Sequence, residues 1–126
     1  MDEATPAAGL TPAGPTQDRT TIAPGVLVTI ARETALAVPG VTGMAPVPGG
    51  VNRLFRRGLG DGVRIAVADG RASVDLYLVL GRESNVRQVS RAVQHEVARA
   101  IQEMVGMPVD EVDVHIEDID FGSPVT

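Results

Sequence analysis

Between residues 24 and 38 the apolar positions recur at helical spacing. Leu27, Ile30, Ala31, Thr34 and Val38 fall on one face. Pro24 suits a first-turn position, because its missing N–H has no partner there. Pro39-Gly40 stops the pattern. The spacing therefore predicts a helix over 24–38, with Leu36 pointing away from the core beside Arg32. "VTGMAPV" (41–47) predicts a strand, which Pro46 ends early or confines to a sheet edge. Residues 48–62, "PGGVNRLFRRGLGDG", are glycine-rich and carry no period.

The next stretch changes period. "VRIAVADGRASVDLYLVL" (63–80) alternates, and Asp69-Gly70 sits at its centre. Asp-Gly favours a two-residue type I′ turn, which needs positive φ at both positions. That turn would pair Val67 with Ala72, Ile65 with Val74 and Val63 with Leu76 on one face. Arg64 would lie opposite Asp75 on the other, so register and charge pattern agree. Over 86–105 the helical period returns, with Val86, Val89, Val93, Val97, Ile101 and Met104 as the stripe. Asn85 is the expected N-cap, with Gln88 three residues on. Gly106 and Pro108 end the helix. In "VDVHIEDIDF" (112–121) Val112, Val114 and Ile116 alternate with Asp113, His115 and Glu117. This predicts a half-buried strand. The parity breaks before Ile119 and Phe121, so a bulge or strand end is expected near Asp118.

Helix, strand, hairpin, helix, strand describes a small two-layer α+β domain. Two amphipathic helices would cover one face of a mostly antiparallel sheet of about four strands. The expected organisation is a disordered N-terminal tail over 1–20, one domain over 21–121 and a short C-terminal tail over 122–126. Pro6, Pro12 and Pro15 lie among Ala, Thr and Gly in the first segment, which has no apolar period to join a core. Length agrees with one domain: 126 residues, 44% of them apolar. With only two Phe, one Tyr and no Trp, the core must be aliphatic.

Charge and cysteine content narrow the function. The formal net charge is −5, whereas a dedicated nucleic-acid binder usually shows a basic domain. The absence of cysteine excludes disulfides, thiolate zinc sites and cysteine nucleophiles. The N-terminus lacks the basic and apolar segments of a secretory signal, and no apolar run reaches the length of a membrane span. The expected location is cytoplasmic, with any membrane contact peripheral or through a partner.

Asp113, His115 and Glu117 invite a metal reading. Same-face neighbours on a strand are nearly 7 Å apart, whereas zinc lies about 2 Å from each ligand. A second element would have to contribute, and the other histidine, His95, projects from the far side of its helix. No metal, cofactor or catalytic residue is expected. "GLGDG" (58–62) leads into a strand rather than a helix N-terminus and does not make a phosphate loop. Two basic features remain. Arg53, Arg56 and Arg57 flank Leu54 and Phe55 and form a candidate anion-contacting loop. Arg91, His95 and Arg99 follow each other at i, i+4 and i+8, opposite the core stripe. With Asp113, Glu117 and Leu36, they make the candidate partner surface.

The stretch from "GRASVDLYLVL" to "NVRQVSRAVQHEVARAIQEMVGMPVDEVDVHIEDIDF" resembles the alkaline shock (Gls-like) envelope stress response family of bacteria. Val74-Asp75-Leu76-Tyr77 is similar to the family's Val-Asp-Leu-Tyr strand. Asn85 and Val93-Gln94 are similar to its second helix. Met104-Val105-Gly106 resembles the step that ends that helix, and Val112, Val114 and Ile116 resemble its closing strand. "PGVTGM" (39–44) resembles the entry to its first strand. The resemblance spans residues 21–121 and departs from the pattern at "GRES" (81–84) and across 48–62. It implies a non-enzymatic protein of the cytoplasm, peripheral at the inner face of the cell membrane. Such a protein would self-associate as a homo-oligomer. It would serve as a scaffold in envelope stress response or homeostasis, recruited by a small membrane-anchored partner. The competing reading is a small α+β RNA-binding module. The acidic balance and the scarcity of stacking aromatics count against it.

Overall fold

The computed structural model describes residues 20–48, 59–60 and 62–122. The tail over 1–19, Arg53, Arg56, Arg57 and residues 123–126 lie outside the described residues. Among the described residues seven elements follow in order: α1 (Pro24–Ala37), β1 (Val41–Met44), β2 (Leu59–Gly60), β3 (Val63–Ala68), β4 (Arg71–Gly81), α2 (Val86–Val105) and β5 (Val109–Asp120).

Pro24 opens α1 in its first turn, and Leu27, Val28, Ile30, Ala31 and Ala35 form its buried face. That face is wider than the spacing alone indicated, since Val28 and Ala35 join it. Helix α2 starts where its cap predicts: Asn85 Oδ1 accepts the Gln88 N–H at 3.0 Å. At the other end Gly106 donates its N–H to Gln102 O. Val89, Val93, Val97 and Ile101 are buried, but Val86 (44% exposed) and Met104 (71% exposed) are not. The apolar stripe outruns the surface that α2 covers, so its two ends stay in solvent.

The Asp69-Gly70 turn has φ 54° and 72°, and the hairpin register is the expected one, from Val63↔Leu76 to Ala68↔Arg71. No heavy atom lies within 4 Å of a Cβ built at Gly70, so only its backbone conformation restricts this position. Gly70→Val is therefore expected to cost roughly 1–3 kcal/mol of stability. An unchanged denaturant midpoint would contradict that.

Strand β4 is the hub. Its alternate residues Ala72, Val74, Leu76, Leu78 and Leu80 are at most 1% exposed and face the helices. One side of β4 is shared: β3 pairs with its first half and β1 with its second, both antiparallel. Tyr77 is the joint, donating its N–H to Gly62 O and accepting from Ala45 N–H, each at 2.8 Å. The other side pairs with β5 along nearly its whole length, and this pairing is parallel. The α2 crossover supplies the reversal that a parallel pair requires. Three of the pairings, with the two-residue β2 included, are antiparallel. The fold is thus the expected α+β domain, with a parallel strand at one edge. A register shift opposite Leu78 and Val79 leaves Glu117 unpaired. This is the bulge that the broken parity near Asp118 announced.

Candidate interaction surface

On α2 the four-residue spacing puts Arg87, Arg91, His95 and Arg99 on the solvent side, and all are exposed. Arg99 is already engaged, 2.9 Å from Glu96 and 3.6 Å from Glu103. Its hydrogen bond holds the Glu96 carboxyl below the ordinary carboxylate range, and Glu96 in turn raises the Arg99 guanidinium. Arg87 and Arg91 make no ion pair among the described residues. The uncompensated charge of the row therefore sits at its N-terminal half. Arg87, four residues before Arg91, extends the row beyond the three residues expected from the sequence.

The opposite side of the domain carries the acidic strand. Asp113 and Glu117 are exposed on the sheet face turned away from the helices. His115 lies between them and is held from β4. Its ring stacks on Tyr77 with centroids 4.5 Å apart and an interplanar angle of 11°. His115 Nε2 is 3.1 Å from Asp75 Oδ1. Across the hairpin, Arg64 Nη2 donates to the Tyr77 hydroxyl at 2.9 Å, and its guanidinium lies 5.9 Å from the ring centroid. Arg64 Nε is buried without a hydrogen-bond partner among the described residues.

This four-residue cluster spans three strands, and sequence spacing did not reveal it. Only the Arg64–Asp75 register pointed there. Among the described residues no hydroxyl other than that of Tyr77 hydrogen-bonds to these groups, and no cluster of three or more His, Asp or Glu is placed to hold a metal ion. The arrangement ties β3, β4 and β5 together on the outer face of the sheet. At the strand's beginning Arg71 Nε meets Asp110 Oδ1 at 2.6 Å.

Leu36 is 37% exposed. With Arg32, Gly43, Met44, Ala45 and Pro46 it lines a shallow cleft between α1 and the end of β1. The structure thus puts the candidate residues on three separate surfaces: the α2 row, the acidic sheet face and the α1 cleft. None of them converge. Among the described residues, no helix is long and apolar enough to cross a membrane.

Residues 14–121 match the alkaline shock protein 23 family, a family of cell envelope-related function. The chain belongs to this family. It is 30% identical over 102 residues to the uncharacterized protein YqhY of Bacillus subtilis, covering 79% of this chain and 76% of that one. It is 22% identical over 103 residues to YloU of the same organism, covering 79% and 86%. A solved copper form of the MamM CTD is similar in fold, with a TM-score of 0.54 and 19% identity, over 80% of this chain and 91% of that one.

Proposed function

We propose that this envelope-related protein is a non-enzymatic, self-associating scaffold. It works in the cytoplasm, at the inner face of the cell membrane, in stress response or homeostasis, and is recruited there by a small membrane-anchored partner. One observation carries the self-association: the unpaired arginines of α2 and the acidic strand β5 lie on opposite sides of one small domain. A patch on one side that complements the other joins copies head to tail, and such contacts propagate into rings or filaments. Complementary charge steers the encounter and sets the register. Each exposed pair contributes only about 0–1 kcal/mol, so an apolar contact is required as well, and Leu36, on its own surface in the α1 cleft, is not part of the charged contact.

Light scattering tests this. Glu96 and Glu103 already hold Arg99, so the informative variant is Arg87→Glu/Arg91→Glu rather than one that includes Arg99. It is expected to raise the concentration needed for assembly roughly tenfold, the effect of about 1.4 kcal/mol. High salt should do the same to the wild type, because the Debye length falls to about 3 Å at 1 M. Equal assembly of both proteins at all salt concentrations would sink the head-to-tail contact. Pull-down from native membranes identifies the recruiting partner. Retention of RNA at physiological salt would instead support the nucleic-acid reading.

A further inference from the structure

We infer that the outer edge of β5 is a docking edge for an extended, basic peptide segment. The backbone geometry locates the open part. Tyr77 turns its N–H and C=O toward β1 and β3, so its neighbours Leu76 and Leu78 turn theirs toward β5. In a parallel ladder the residues directly paired with those two turn their own groups outward. These are Val114 and Ile116. The Ala72 N–H donating to Pro108 O, one residue before its partner Val109, fixes the same pattern at the strand's start.

Both ends of this edge are closed by side chains. The Gln94 amide, reaching from α2, donates to Val112 O at 3.1 Å. The Asp118 carboxylate accepts the Ile119 N–H at 2.8 Å, just past the Glu117 bulge. Caps and bulges of this kind blunt a sheet edge against unwanted pairing. Between them, the N–H and C=O of Val114 and Ile116 have no partner among the described residues. The edge is closed where it would run on and open where a short strand fits.

The flanking side chains choose the occupant. Glu111, Asp113 and Glu117 make no ion pair among the described residues, and β5 holds no arginine. A second copy of β5 would set these carboxylates against their own kind, and like charges directly opposite destabilise a strand pair. A strand bearing Arg or Lys at alternate positions sets opposite charges beside Asp113 and Glu117 while its backbone completes the ladder. The source of that strand rests on the recruitment reading above. Segments beside the cytoplasmic end of a membrane span are enriched in Lys and Arg, so the partner's juxtamembrane segment has the required chemistry.

The test uses the full chain and a short synthetic peptide alternating Arg and Val, with fluorescence anisotropy for affinity and amide hydrogen exchange for location. Binding should slow exchange at Val114 and Ile116. N-methylation of the peptide's edge-facing amides keeps every charge and should abolish binding. Asp113→Lys/Glu117→Lys, two exposed changes, should weaken it roughly tenfold or more. A peptide with Glu in place of Arg should not bind. The proposal is overturned if the basic peptide does not bind, if the N-methylated form binds equally well, or if exchange at Val114 and Ile116 stays unchanged. Assembly in light scattering is a separate readout, so loss of one reading leaves the other standing.

Discussion

Gly62→Ala is expected to destabilise the domain by more than about 3 kcal/mol, combining a strained backbone with a core clash. Gly62 has φ 72°, a conformation that side-chain-bearing residues avoid. It also sits at the joint where β3 hands β4 over to β1. A Cβ there would lie 2.7 Å from Ala45 O and 2.8 Å from both Met44 Cβ and Tyr77 O. Two of those atoms are backbone oxygens, and Tyr77 O is held by the Ala45 N–H, so they cannot rotate away as a side chain would. Gly70→Ala is the control, because it has a similar φ and no neighbour within 4 Å. The difference between the two urea midpoints isolates the clash. Equal midpoints would show that the joint has room to spare.

Leu78→Ala carries the second large effect. Leu78 is 0% exposed and pairs with Met44 of β1 on one side and Ile116 of β5 on the other. Truncation leaves a cavity under the centre of the sheet, and such changes cost about 2–5 kcal/mol. At roughly 4–8 °C per kcal/mol for a domain of this size, the melting temperature should fall by at least about 8 °C. Leu36→Ala, on a half-open surface, should stay within about 0.5 kcal/mol of wild type. A Leu78→Ala protein that melts with the wild type would place the core elsewhere.

What could be read from the chain beforehand was what neighbouring residues decide among themselves. Asp69-Gly70 sets a turn, the turn sets a register, and the register was right. Asn85 and Gly106 bracket α2 because caps act within one turn. Leu36 could be read as outward-facing because its phase in α1 excludes it from the buried stripe. Long-range geometry was hidden. Val86 and Met104 continue the α2 stripe in sequence, and only the extent of the surface beneath decides that they stay exposed. The shared side of β4 and the parallel approach of β5 depend on partners far along the chain. So does the arrival of His115 beside Arg64, Asp75 and Tyr77, because it lies 40 residues beyond Asp75 in the chain. The basic row was visible as spacing, and so were Glu96 and Glu103 one helical turn from Arg99; the structure shows both reaching it, while Arg91 makes no ion pair among the described residues.

Tyr77 is the only tyrosine, and the chain has no tryptophan. Above the phenylalanine bands, the near-ultraviolet circular dichroism of this protein therefore belongs to one ring. That ring lies flat against His115 of β5 and is hydrogen-bonded to Arg64 of β3. Its signal reports whether three strands hold their places, while the far-ultraviolet signal reports whether the helices persist. A state that kept the second and lost the first would be compact yet loosely packed. The molecule thus carries its own optical probe at the seam of its sheet, with no label required.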